Sequence, residues 1–356
     1  MSNDYFCVLP FFNREIRRTR IPNGPWKETN CCLLPHNHNI DEVRKDISNG
    51  VRSHWCQKCW TLEDAGIESD RQIKNKSYDF FADQNISDVE QEAINGNYST
   101  RMLKLSTSNL CNATCVTCDS RSSSAWASLD KTPNYIKLDT TIYDTIDWGN
   151  IVFLNFLGGE PFYEAETWYV LEKLLSANNT DCFISFTTNG SIVPKGTKLD
   201  ILKLFKKLSI NFSIDGIGSI FEYMRYPLSW SKTLENIDSF RNFTYNTSVS
   251  YTVSNLNVIY MEETFDWFKQ MNLPNNINVV SDPRYFAPSA FPKEIKLLYP
   301  NNIFIQNHKP DDDLQFYQML AEVKRQDTLK GIDIKNYMPE VYNLIESYYT
   351  VRNCHV

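Results

Sequence analysis

The chain has 356 residues, of which 42 % are hydrophobic and 22 % charged, enough apolar material for one large domain with attachments or two modest ones. That balance excludes a disordered chain and a fibre. Its 36 Lys and Arg against 43 Asp and Glu leave a net charge of −7, so a surface that holds phosphate backbones by excess cation is not expected, and neither is a nucleic-acid partner.

In chain order, the amino terminus MSNDYFCVLPFFNREIRRTR has no long apolar core behind a basic start. No stretch reaches the roughly 18 uninterrupted apolar residues of a membrane helix, so a cytoplasmic protein without a membrane partner is expected. Over residues 1–99, Pro10, Pro22, Pro25 and Pro35 interrupt any helix and apolar periodicity is poor. This predicts a loop-rich module that buries little core unaided and for which bound metal is the usual remedy. Eight of the 10 cysteines precede residue 120: Cys7, Cys31, Cys32, Cys56, Cys59, Cys111, Cys115 and Cys118. In a reducing compartment such clustering points to metal or redox chemistry rather than disulfides. The first five exceed the four ligands that a cluster needs, with the CxxC of HWCQKCW as their tightest unit, while nearby His36, His38 and His54 keep a mixed Cys and His zinc site open.

From about residue 100, short apolar runs alternate with segments of helical period. Strands are predicted at Met102 to Ser106, Ile151 to Phe156, Cys182 to Thr187, Ser209 to Ile214, Val249 to Val253 and Ile277 to Val280. Segments between them, such as AETWYVLEKLLS, KLDILKLFKKL and MEETFDWFKQM, repeat apolar residues every three and four positions. Such alternation implies crossover connections and a parallel sheet, either open and doubly wound or an incomplete barrel. Beyond residue 284 a Pro-punctuated loop leads into DLQFYQMLAEVKRQ and MPEVYNLIESYY, read as a helical tail over residues 291–356. Cys182 reads as a small core residue, and Cys354 as a tail residue without a role.

The strand at Met102 to Ser106 leads into SNLCNATCVTCDS, which places Cys111, Cys115 and Cys118 in a CxxxCxxC spacing on one loop. Three thiolates so close in sequence can converge on one face of an iron–sulfur cube, whereas a closed zinc site needs a fourth ligand from elsewhere. In this the sequence resembles the radical S-adenosylmethionine (radical SAM) superfamily. There, a three-cysteine loop holds a four-iron four-sulfur cluster and leaves one iron to the amino and carboxylate groups of the cosubstrate. The residue before the last cysteine, often bulky in that family, is Thr117 here.

Later segments extend the resemblance. LGGEPF, with Gly158, Gly159, Glu160 and Pro161, is similar to the family segment that meets the methionine amino group. Two glycines leave the backbone bare for a ligand, and the carboxylate can accept from an ammonium group. TTNG, with Thr188 and Asn189, is similar to a strand-end turn near the cosubstrate. NFSIDGIGSIFEYMR resembles a segment of peptide-modifying members. By that resemblance Ser213 and Asp215 lie near the ribose, Arg225 meets the carboxylate, and Ser254 adds a polar contact. The resemblance spans residues 100–290 and implies an α/β fold, an incomplete (β/α)6 barrel.

CQKCWTLEDAGIESDR, with Glu63, Gly66, Ser69 and Arg71, resembles the segment before the barrel in twitch-domain radical SAM proteins, which hold one auxiliary cluster in a shortened SPASM-like module. This implies Cys7, Cys56, Cys59 and either Cys31 or Cys32 as ligands, Cys31 being preferred because adjacent residues project differently. The implied activity is reductive cleavage of S-adenosylmethionine to a 5′-deoxyadenosyl radical that abstracts hydrogen from a peptide or protein side chain. The implied cofactors are a catalytic and a second four-iron four-sulfur cluster, and the implied electron donor is a flavodoxin or ferredoxin. The alternatives are a non-catalytic metal-binding scaffold with zinc in the amino-terminal module, or a radical SAM enzyme acting on a small carbohydrate or nucleoside.

Overall fold

A computed structural model describes residues 4–18, 26–35, 37–106, 108–133, 140–306 and 313–353. Among the described residues there are eight strands: β1 Asn13–Arg18, β2 Trp26–Thr29, β3 Met102–Ser106, β4 Phe153–Leu157, β5 Phe183–Thr188, β6 Lys207–Ser213, β7 Asn246–Val253 and β8 Asn275–Val279. They form one mostly parallel sheet in the order β2-β1-β3-β4-β5-β6-β7-β8. The six strands expected from periodicity are β3 to β8, displaced by at most three residues at an end. Their apolar alternation reflects burial, as in Leu103, Leu105, Leu154 and Phe156. No helix of the described residues is long and apolar enough to cross a membrane.

The chain divides into two compact units. The first comprises Met1–Ser108, Tyr135–Phe186 and Lys195–Ser209. Its amino-terminal part corrects the expectation of a loop-rich module with little core. Helices Ile40–Ser48, Gln57–Asp64, Asp70–Ala82 and Ile86–Ile94 surround a cluster of Phe6, Val8, Phe12, Val43, Ile47, Tyr78, Val89 and Ala93, all buried. Ile40–Ser48 and Ile86–Ile94 supply two of these residues each, Asp70–Ala82 one and Gln57–Asp64 none, so no single window shows strong periodicity although the pooled core is substantial. A buried aliphatic or aromatic side chain contributes about 1.5–3 kcal/mol, so the pooled cluster adds materially to the stability of this part.

Polar caps start three of these helices. Asn39 accepts from the Asp41 and Glu42 amides, Asn85 from the Ser87 amide, and Ser69 forms a reciprocal capping box with Gln72. The prolines fall outside these helices; Pro10 sits in the first turn of the short helix Leu9–Phe12, where its missing N–H costs nothing.

Strand β1 was not expected either. It runs parallel to β3, with Asn13 beside Met102 and Arg17 beside Ser106, while β2 pairs antiparallel on its other side. Its sequence NREIRR hides the strand because Ile16 is its only apolar residue. Buried Glu15 is tolerated there because Arg17 and Lys104 approach it at 3.5 Å and 3.8 Å.

The second unit comprises Asn109–Asn134, Thr187–Pro194 and Ile210–Val356. Strands β7 and β8 run parallel, and Tyr251 of β7 packs edge-on against Phe268 of the helix Met261–Gln270. The expected helical tail is present as Lys293–Leu298, Ile303–Gln306, Asp313–Lys330 and Pro339–Asn353. Phe316 of the third of these helices meets Phe291 and Tyr348, and Glu340 accepts from the Tyr260 hydroxyl at 2.9 Å.

Candidate functional site

Within the second unit, the loop carrying Cys111, Cys115 and Cys118 is fixed mainly through its backbone. The Thr114 and Val116 amides donate to the Tyr226 and Met224 carbonyls at 2.7 Å and 2.9 Å. Ser124 Oγ accepts from the Cys111 amide and donates to its carbonyl, both at 2.9 Å. Trp126 Nε1 donates to the Cys115 carbonyl at 2.9 Å. None of these five hydrogen bonds engages a thiol. Burial pushes the Cys115 and Cys118 thiols up, and for Cys118 the nearby Cys115 and Cys111 add to the shift. To bind a cation, these thiols must give up their protons.

Arg225 connects this loop to the end of β6. Its Nη1 lies 3.9 Å from Cys115 Sγ, its Nη2 lies 2.7 Å from Asp215 Oδ2, and its buried Nε has no hydrogen-bond partner among the described residues. Asp215 also accepts from the Thr252 amide at 2.8 Å, and Asn257 Nδ2 donates to its carbonyl at 2.9 Å. Burial pushes the Asp215 carboxyl up, against the pull of Arg225 and the Thr252 amide. The carboxylate therefore serves first to hold the guanidinium in place.

At the end of β5, Asn189 Nδ2 donates to Asn112 Oδ1 at 2.9 Å and lies 3.8 Å from Cys111 Sγ. Asn112 in turn donates to Ser191 Oγ at 3.0 Å. Thr188 Oγ1 accepts from the Gly190 amide, and Gly190 has a φ of +74°, with Phe212 and Thr233 both 3.1 Å from where a Cβ would stand. A glycine is needed for that turn. Ser213 is half-buried, whereas Ser254 is fully buried and donates its hydroxyl to Asn257 Oδ1 at 3.0 Å.

The segment Gly158 to Pro161 belongs to the first unit. Gly158 has a φ of +128°, and a Cβ there would stand 3.0 Å from Glu164 Oε1 and 3.2 Å from the Ser108 carbonyl. Glu160 is fully buried and accepts from the Phe162 amide at 3.3 Å, while the Phe162 ring packs on Phe186 with centroids 4.7 Å apart. Pro161 follows Glu160 in a turn closed by the Tyr163 amide on the Glu160 carbonyl at 3.0 Å.

Also in the first unit, Cys7, Cys31, Cys56 and Cys59 line one pocket with Trp55, Trp60 and Arg71. Cys32 is exposed and does not line it. Burial pushes Cys31 up to about 11 and Cys56 up to about 12, with neighbouring cysteines adding to both. His38 is half-buried and bonds the Pro35 carbonyl, and His54 is exposed beside Glu42; His36 and Cys354 lie outside the described residues.

Residues of the CQKCWTLEDAGIESDR run hold this pocket together. Arg71 Nη2 lies 2.8 Å from Glu63 Oε2, and its Nη1 donates to the Phe6 carbonyl at 2.7 Å. Asn75 accepts from the Val8 amide and donates to the Phe6 carbonyl, both at 2.9 Å, so one helix grips the chain on either side of Cys7. Gly66, with φ +73°, ends the Cys59 helix in the left-handed region.

Burial works against the Glu63 charge, but the Arg71 and Ser69 hydrogen bonds outweigh it and hold the carboxyl below the ordinary 4.5. Its contribution to stability is complete above that value and is lost as pH falls through the lower folded value. Denaturant unfolding should therefore show Arg71→Met losing about 3–5 kcal/mol at neutral pH through a stranded carboxylate. Glu63→Gln should remove this component of the acid dependence; a parent-like acid profile in Glu63→Gln would count against the pair.

Residues 105–268 match the Radical SAM superfamily. All three cysteines of the loop, Glu160 and Arg225 fall inside the matched segment. Among solved structures, native anSMEcpe with bound AdoMet is similar at 19 % identity over 59 % of this chain and 62 % of that one, with a TM-score of 0.41. Streptococcus suis SuiB bound to precursor peptide SuiA is similar at 12 % identity over 87 % of this chain and 66 % of that one, with a TM-score of 0.40. SuiB bound to S-adenosylmethionine is similar at 12 % identity over 88 % and 69 %, also with a TM-score of 0.40. This chain covers less than two thirds of anSMEcpe. No curated protein matches it.

Sequence reasoning did not single out Asn112, Ser191, Trp126 or Asn75. Only Asn112 carried a local signal, its place between two of the loop cysteines.

Proposed function

We propose that this chain is a radical SAM enzyme that reductively cleaves S-adenosylmethionine and abstracts hydrogen from a peptide or protein side chain. The observation that carries the proposal is the three-thiol loop, anchored by its backbone, lying within the segment that matches the superfamily. Residues 100–290 form its incomplete (β/α)6 barrel, residues 1–99 a twitch/SPASM-like module, and residues 291–356 a helical extension. Cys111, Cys115 and Cys118 would hold a four-iron four-sulfur cluster, which when bound supplies the electron that breaks the carbon–sulfur bond.

The chain's own residues bind and orient. Glu160 receives the cosubstrate ammonium group, with Gly158, Gly159 and Pro161 shaping the approach. Arg225, aimed by Asp215, receives the carboxylate, and its unpartnered Nε leaves donor capacity for it. Thr188, Asn189, Ser213 and Ser254 supply the polar surroundings. Cys7, Cys31, Cys56 and Cys59 hold an auxiliary cluster, supported by the pocket that they share. The peptide substrate follows from the resemblance of the Cys56 to Arg71 run to auxiliary-cluster proteins. The enzyme works in the cytoplasm with a flavodoxin or ferredoxin as reductant.

Anaerobic reconstitution with iron and sulfide, followed by S-adenosylmethionine and dithionite, should yield 5′-deoxyadenosine. A scaffold without turnover would take up metal and form none.

A further inference from the structure

The helix Asp313–Lys330 presents Glu322, Gln326 and Lys330 four residues apart, hence on one face. Gln326 is almost fully buried, and its Nε2 donates to the Val116 carbonyl at 2.9 Å, between two loop cysteines. Its Oε1 accepts from Lys330 Nζ at 3.0 Å. Lys330 is itself buried, with Nζ 4.7 Å from the centroid of Trp126, the ring whose Nε1 bonds the Cys115 carbonyl. Tyr226, which anchors Thr114 through its own carbonyl, donates its hydroxyl to the Lys330 carbonyl at 3.3 Å.

A lysine that served only packing would extend its amine to water, because burying an ammonium group is costly. Here the amine stays inside, held by an amide oxygen and an aromatic face. Burial pulls the Lys330 ammonium group down to about 8, against the charges of Cys115, Asp327 and Glu322, which favour its protonated form. The Arg225 guanidinium stands 3.9 Å from the Cys115 sulfur.

We infer that Gln326 and Lys330 are positioning residues for the three-cysteine loop, and that Lys330 joins Arg225 in setting the charge around Cys115 so that the reduced form of a cluster bound there is favoured. This rests on the radical SAM reading. Gln326 fixes the loop backbone through Val116. Lys330 in its protonated form adds a positive charge, which stabilises an added electron and raises the reduction potential.

The test is a redox titration of the reconstituted full-length protein, followed by electron paramagnetic resonance through the signal that S-adenosylmethionine perturbs. Lys330→Met keeps the apolar stem and removes the charge. It should hold about tenfold less reduced cluster at a fixed poise, a midpoint about 59 mV more negative. Lys330→Arg should restore the parent midpoint, which a purely steric role would not require. Lys330→Gln reads the same loss of charge should the apolar variant not fold. A parent-like midpoint in Lys330→Met or Lys330→Gln, beside a normal parent signal, overturns the inference alone. A parent without any such signal overturns the functional reading, and the inference with it.

Discussion

Cys115→Ala is expected to reduce 5′-deoxyadenosine formation by on the order of 10³-fold or more, as for groups that act as a unit, while the protein remains folded. The three thiols approach one another closely enough for their charges to interact, so removing one leaves an incomplete ligand set. The fold should survive because the loop anchors at Thr114, Val116 and the Cys115 carbonyl are backbone groups that an alanine retains. Cys111→Ala and Cys118→Ala should behave alike. Circular dichroism checks the fold, and deoxyadenosine at the parent rate in any of the three would remove that residue from the ligand set.

The second large effect concerns iron content. If both sites hold four-iron clusters, the anaerobically reconstituted parent should carry about eight irons per chain, and Cys56→Ala with Cys59→Ala about four. The double variant should still cleave S-adenosylmethionine but leave the substrate oxidation incomplete. The core of Phe12, Tyr78, Val89 and their neighbours should keep the module folded, so lost iron would report lost ligands rather than lost structure. One stoichiometric zinc with about four irons in the parent would replace the auxiliary cluster by a structural ion.

Strands β3 to β7 were legible because apolar residues recur along each, buried at alternate positions in β4, whereas β8, NNINV, is exposed and showed only through Ile277 and Val279. Strand β1 was not, since NREIRR stays in the sheet through charge pairing at Glu15, an interaction with no local signature. The amino-terminal helices were obscured for a related reason: Val43, Ile47, Tyr78 and Val89 are too far apart in sequence to read as one face, yet share one core. At the candidate site, cysteine spacing and glycine placement stood out because each requires a particular residue type. The Arg225 and Asp215 pairing could not be read, because chain separation says nothing about which charge faces which.

The two sets of thiols differ in how much polypeptide must exist before they take shape. Cys7, Cys31, Cys56 and Cys59, with the grip of Arg71 and Asn75 on the chain around Cys7, all lie within the first 75 residues. The three-cysteine loop instead borrows partners 112 residues away at Tyr226 and 210 residues away at Gln326. Contacts of such long range pay their loop-closure entropy late in folding. During synthesis, the first pocket can therefore close early, whereas the second stays unshaped until the helix Asp313–Lys330 has emerged.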